Sequence, residues 1–360
     1  MTTRSLHKRP GYTLVEVMVA LGLSVLTMWI LAEAFRIGLE MIGQARAQAN
    51  LMTQLAAVGA ILQRDLVYAH PFLPDDSRPN RGLRLSDQRV DLLPSGRWTP
   101  PLGGFFRIVA PPPGLTVTDT EGLNIYTVNN HALHFTAILP ERETNLFRVT
   151  VPADSFSPGG TYESRAAEIA YFLVDTNTRT SGGTNPLYNL VRRQRLVAVN
   201  DAERTRLDTS QAGMFFNDLI ASQIVPPGSP TTAYTLQGIR VPSNRFPIDV
   251  LPISEPVGTT TLPRLVFPPV SNPNLSGEEI LLPNVLSFEV MVHWQPHPPN
   301  GTAAPTDNPY AFLPPPHVFD TGHDLTTVPL HIRVLGIQVT IRAYDPKTRA
   351  VRQNTWRFAL

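Results

Sequence analysis

The most constraining feature of this chain is an apolar stretch of 24 residues, Tyr12 to Phe35, directly behind a basic head containing Arg4, His7, Lys8 and Arg9. Crossing a bilayer takes about 20 apolar residues in a helix. The 16 residues between Glu16 and Glu33 carry no charge, so a single membrane span fits here. A secretory signal peptide places small residues after its apolar segment. Here Pro10 and Gly11 come before it. Glu16 stands out, because an ionised side chain costs about 2.5–3.5 kcal/mol at the middle of a membrane helix and less near its end.

No proline falls between Pro10 and Pro71, which predicts one continuous helix from Tyr12 to about Ala69. At 1.5 Å per residue it would be about 87 Å long. Its first half, 12–35, suits lipid. Its second half, 36–69, is amphipathic: Leu51, Leu55, Val58, Leu62 and Leu66 recur every three or four residues, while Gln54, Gln63, Arg64 and Asp65 are read as lying off that stripe. Gly22, Gly38, Gly43 and Gly59 each weaken the helix by about 1 kcal/mol relative to Ala. They would act as bending points or as sites of close packing.

Beyond Ala69 the pattern changes to short alternating runs separated by Pro, Gly and Asn. Candidate strands are Leu83–Leu85, Gly104–Val109, Leu123–Val128, Leu133–Leu139, Leu146–Val151, Glu168–Val174, Leu187–Val199, Val285–Trp294, Leu330–Tyr344 and Ala350–Phe358. The last two read as a hairpin: Ile337, Val339 and Ile341 alternate with Gln338, Thr340 and Arg342, and Asp345-Pro346-Lys347-Thr348 supplies the turn. Proline is 36 of 360 residues and concentrates in two stretches that read as loop insertions, 200–282 and 296–316. The expected fold class is therefore α+β: a long N-terminal helix packed on an antiparallel β-sheet domain, 70–360, with long Pro-rich loops.

Composition and motifs exclude much chemistry. The chain has no cysteine, which removes disulfides, thiolate metal sites and cysteine nucleophiles. Only Lys8 and Lys347 stand against 28 arginines, so Schiff-base or phosphate-loop lysines are not expected. Serine-hydrolase elbows, zinc-protease motifs and nucleotide-binding glycine loops are missing from the sequence, and no catalytic residue or cofactor is assigned. His293 and His297, with His317, His323 and His331, suggest a metal cluster, but Pro296, Pro298 and Pro299 break any helix that would align the first two. No metal site is assigned. Asp175, Asn177, Arg179, Ser181 and Gly182 imitate a calcium loop with an Arg at a ligand position and no closing Glu; calcium at another loop stays open. Arg192, Arg193 and Arg195 form a basic cluster, which strand alternation splits between two faces and which reads as a solvated sheet surface.

The segment Lys8-Arg9-Pro10-Gly11-Tyr12-Thr13-Leu14-Val15-Glu16 resembles the leader of type IV prepilins and type II secretion pseudopilins. The resemblance implies a leader 1–11 cut by prepilin peptidase between Gly11 and Tyr12, and N-methylation of Tyr12. It also gives Glu16 an assembly role, pairing with the Tyr12 ammonium of a neighbouring subunit. Ala167-Glu168-Ile169-Ala170-Tyr171-Phe172-Leu173, Leu187–Arg193, Leu281–Phe288, Trp294 and the final hairpin resemble the J-type minor pseudopilin and the W-type minor pilin.

The implied protein is a non-enzymatic, pilin-like subunit, single-pass in the inner membrane with its C-terminal domain in the periplasm or outside the cytoplasm. Its implied partners are other major and minor pseudopilins or pilins and the inner-membrane assembly platform. No nucleic-acid partner is expected: without residues 1–11 the chain has 27 basic and 29 acidic residues, a poor match to a DNA backbone. The alternative is a membrane-tethered ligand-binding or hydrolytic domain exported with the same leader.

Overall fold

The computed structural model describes residues 13–68, 103–111, 116–118, 124–127, 129–140, 144–151, 160–180, 185–204, 235–240, 245, 278–296, 309–314, 317–321 and 332–360. The expected strand Leu83–Leu85 and most of the two proline-rich stretches lie outside these residues. The chain divides into two compact units, Met1–Asn50 and Leu51–Leu360. In the first, the described residues are almost entirely helical.

Helix α1 runs unbroken from Leu14 to Val67, within two residues of the expected span at each end. None of its four glycines interrupts it. A Cβ at Gly22, Gly38 or Gly43 would meet nothing within 4 Å, whereas one at Gly59 would collide with the Trp356 indole. Gly59 is therefore where a strand indole lies directly on the helix.

Thirteen strands follow among the described residues: β1 (Phe106–Val109), β2 (Thr116–Thr118), β3 (Asn124–Thr127), β4 (Ala132–Ile138), β5 (Phe147–Val151), β6 (Gly160–Ser164), β7 (Ala166–Arg179), β8 (Pro186–Val197), β9 (Glu278–Pro296), β10 (Tyr310–Ala311), β11 (Val318–Asp320), β12 (Ile332–Tyr344) and β13 (Val351–Ala359). Nine of them form one antiparallel sheet in the order β11-β1-β4-β7-β8-β9-β12-β13, with β10 added beside β9; β2–β3 and β5–β6 are separate pairs. The sheet corrects two sequence expectations. The stretch 200–282, read as strand-poor, contains the first residues of β9, which runs through Pro283; the stretch 296–316 contains β10. Pro283 lies in β9 where its pairing with β8 shifts register, and Asn284 beside it has φ 56°, so an irregularity absorbs the missing donor.

That irregularity lets β9 change partners. Its first part pairs with β8, while farther along Phe288 accepts from the His131 N–H at 3.0 Å and donates to Asn129 O at 2.9 Å. The chain entering β4 thus returns to β9, and the sheet curls into a half-barrel. Its concave face holds the main core. Leu55 and Leu62 are fully buried with Phe135, Ile169, Phe288, Val290, Ile337, Val339 and Ile341, and Leu51, Val58 and Leu66 are at most 6% exposed. Burying each such side chain contributes about 1.5–3 kcal/mol. The opposite face is covered around Phe105, Ala166, Val197, Leu236 and Ile239.

Candidate functional site

Gly11 and Tyr12, the expected processing pair, lie outside the described residues. Glu16 is in the first turn of α1, and its partners were not anticipated. The Thr13 N–H donates to Glu16 Oε2 at 2.9 Å and the Thr13 hydroxyl to the same oxygen at 3.1 Å. In return the Glu16 N–H donates to Thr13 Oγ1 at 3.3 Å. This is a capping box, which satisfies backbone donors that a helix start leaves open. The Thr13-x-x-Glu16 spacing is its sequence signature. Both contacts use Oε2; Oε1 has no partner among the described residues.

Every large apolar side chain from Leu14 to Ile42 is 41–76% exposed. Among the described residues, α1 is the one helix long and apolar enough to cross a membrane. Charge returns at a cluster in which Arg36 contacts Glu33 at 2.5 Å and Glu40 at 2.8 Å. These exposed pairs contribute only a few tenths of a kcal/mol each.

Among the described residues of the second unit, two buried charge clusters stand out. Asp65, 1% exposed on α1, is the first. Its Oδ2 accepts from Arg192 Nε at 2.6 Å and from the Tyr171 hydroxyl at 2.6 Å, and its Oδ1 meets Arg64 at 2.9 Å. Arg192 also donates to Gln194 at 3.0 Å. Burial, reinforced by the Asp65 carboxylate, raises the Tyr171 pKa well above its ordinary value. Asp65 corrects the amphipathic assignment: it lies on the buried face, seven residues after Val58, a spacing that the five-residue stripe already contained.

The second cluster occupies the convex face. Glu168 accepts from Arg195 and from the His134 ring at 2.7 Å, all three being at most 2% exposed. Burial lowers the His134 pKa to about 4, outweighing its Glu168 partner. Nearby, Arg245 lies 3.8 Å over the Phe105 ring and donates to Asp320 at 2.6 Å. Arg192, Arg193 and Arg195 are thus not solvated: all are under 7% exposed. Alternation correctly divided them between faces, but nothing local in the sequence names Asp65 or Glu168 as partners. With its carboxylate held by Arg195 and His134 and closed to solvent, the Glu168 cluster is placed to hold strands β4, β7 and β8 together.

The remaining candidates do not converge. His293 packs against Tyr310 at a 5.4 Å ring separation, and His317 hydrogen-bonds Leu313 O at 2.8 Å; His297, His323 and His331 lie outside the described residues. No group of three or more metal-ligating side chains occurs among the described residues. Asp175 caps its own turn by accepting from the Asn177 N–H at 2.8 Å. A cleft of about 340 Å³ lined by Arg165, Val199, Asn200, Ala202 and Glu203 presents no histidine or hydroxyl nucleophile among the described residues. Comparison of the chain with family models, curated proteins and solved structures gives no match.

Proposed function

We propose that this chain is a minor pseudopilin or pilin-like subunit. Prepilin peptidase cuts it between Gly11 and Tyr12 and methylates Tyr12. The first half of α1 holds it in the inner membrane with the sheet domain in the periplasm, and it joins other pseudopilins or pilins at the tip of a short filament built on an inner-membrane platform. The observation that supports this reading best is the division of α1: apolar and exposed through Ile42, then buried on one side from Leu51 to Leu66. A helix so divided serves both as an anchor and as part of a folded domain. The residues Gly11 to Glu16 add the processing signal at its start.

Glu16 fits two tasks in this reading. Oε2 closes the capping box of its own helix, and Oε1 remains for the Tyr12 ammonium of a neighbouring subunit. The test is intact-mass measurement of the chain purified from membranes. The expected N-terminus is Tyr12 carrying one methyl group, and Gly11→Ala should slow processing because it adds a side chain at the scissile position. An intact Met1 end, or cleavage beyond Phe35, refutes the proposal.

A further inference from the structure

Strand β13 forms the long edge of the main sheet, and its chemistry identifies what it takes. It pairs with β12 in unbroken register from Gly336↔Ala359 to Tyr344↔Val351. The Asp345 N–H bonds to Ala350 O at 2.9 Å and the Leu360 N–H to Leu335 O at 3.2 Å, which fixes the phase of the ladder. In an antiparallel pair, alternate residues direct both backbone groups at the partner. Ala350, Arg352, Asn354, Trp356, Phe358 and Leu360 therefore face β12 with their backbones. Val351, Gln353, Thr355, Arg357 and Ala359 turn theirs outward, and these five are the exposed residues of the strand.

Two of the ten outward groups are taken locally: Asn354 Oδ1 accepts from the Thr355 N–H at 3.0 Å, and Arg352 donates to Val351 O at 3.4 Å. No strand pairs with the remainder among the described residues. The edge is nine residues long, about 30 Å at 3.3 Å per residue, and it has no proline or bulge. Natural sheets usually protect such an edge, because it is a template for another strand.

Its charge selects the occupant. Residues 332–360 contain Arg333, Arg342, Lys347, Arg349, Arg352 and Arg357 against the single acid Asp345, a local balance of +5 in a chain whose total is +1. A second copy would bring the same +5 to the edge and be repelled. We infer that β13 is a docking edge for an extended, acidic segment of a partner protein, which adds to the sheet as a further antiparallel strand. Backbone bonds to Gln353, Arg357 and Ala359 supply attachment, and Arg352 and Arg357 select for acidic side chains. This inference stands on the terminal hairpin and does not depend on how the N-terminus is processed.

The test uses the full chain in detergent and a fluorescent nine-residue peptide alternating Glu with Val and Thr, read by polarisation and by amide hydrogen exchange. Saturable binding is expected, weakening at least fivefold between low and moderate salt. A Lys-for-Glu peptide should bind at least tenfold more weakly, and so should a peptide N-methylated at alternate backbone nitrogens. The amides of Gln353, Arg357 and Ala359 should gain at least tenfold protection. Gln353→Pro removes one outward donor and should weaken binding at least tenfold. Arg352→Glu with Arg357→Glu leaves the backbone intact, lowers the local balance from +5 to +1 and should remove most of the preference for the Glu peptide. Absence of binding, equal binding of the N-methylated peptide, or no protection at these amides overturns the inference. Self-association of the chain that Gln353→Pro abolishes also overturns it, by assigning the edge to a second copy.

Discussion

Replacing Asp65 with Ala tests whether the charge buried beneath α1 holds the helix to the sheet. In the wild type, Asp65 Oδ2 receives Arg192 Nε and the Tyr171 hydroxyl, both at 2.6 Å. The Arg192 side chain is only 7% exposed and Tyr171 is fully buried. Removing one partner of a buried pair costs about 3–5 kcal/mol, because the other charge stays uncompensated. An orphaned buried hydroxyl costs about 1–3 kcal/mol more. The two losses share one carboxylate and do not add, and Gln194 still receives one Arg192 donor at 3.0 Å. The expected loss is therefore about 4 kcal/mol, a shift of about 8–16 °C in the unfolding midpoint. Tyr171→Phe, which leaves Asp65 with both arginines, should cost about 1 kcal/mol.

The assay is thermal and urea unfolding of the full chain in detergent, followed by tryptophan fluorescence. Trp294 is 4% exposed and Trp356 lies against Gly59, so both report on the helix–sheet interface. A triple variant, Asp65→Leu with Tyr171→Phe and Arg192→Met, supplies the sign. Apolar replacement of a whole buried ionic cluster is often neutral or stabilising, so the triple variant should recover most of the loss. Stability of Asp65→Ala within about 1 kcal/mol of wild type would refute the reasoning, since the charge would then not be anchored where the geometry places it. A triple variant as unstable as Asp65→Ala would move the loss from uncompensated charge to packing.

Leu62→Ala empties a fully buried position and should destabilise the domain by about 2–5 kcal/mol, measured by the same urea unfolding. Burial holds the His131 pKa down at about 4, so below the ordinary value of 6.5 the unfolded chain takes up a proton that the folded chain refuses. Stability contributed by that neutral histidine is complete above pH 6.5 and is lost as pH falls toward 4, by about 3 kcal/mol. His134 adds in the same direction, His131→Gln should flatten the slope, and urea midpoints that do not fall between pH 6.5 and 4.5 contradict this. At the helix start, Glu16→Gln keeps the capping box and removes the charge, whereas Glu16→Ala also removes the two bonds that the carboxylate accepts from Thr13 and leaves the residue-16 N–H donating to Thr13 Oγ1. On the proposed function, co-purification with pilin-like partner subunits should drop for both variants, and undiminished recovery of Glu16→Gln would reduce Glu16 to a cap.

What the sequence revealed follows from the range of the forces involved. α1 was legible end to end, because proline spacing and 3.6-residue periodicity are local properties, and its buried stripe reads directly from Leu51 to Leu66. The terminal hairpin was legible because alternation and turn chemistry lie within one short segment: Asp345 accepts from the Lys347 N–H at 2.9 Å and the Thr348 hydroxyl at 2.8 Å. Strands β2, β6, β10 and β11 were missed; they are two to five residues long and set by their partners more than by their own pattern. The burial of Arg192 and Arg195 was illegible for a stronger reason. Each is matched to an acid 127 or 27 residues away in sequence, and a guanidinium reads as surface until that partner is known.

Those pairings give a physical use to the imbalance of 28 arginines over two lysines. A buried cation on a sheet must satisfy several acceptors lying in different directions, and a guanidinium does so with five fixed donors where an ammonium offers three on a mobile stem. Arg192 reaches Asp65 with Nε and Gln194 with Nη2. Arg245 reaches Ile239 O, Arg240 O and Asp320 while its plane covers Phe105. Lysine could replace the charge at these positions but not the geometry. The same side chain at the β13 edge stays out in water, where Arg357 spans Gln338 and the Tyr310 ring. One residue type thus closes the interior, where its partners are already in the chain, and charges the terminal edge, whose outward backbone groups pair with no strand among the described residues.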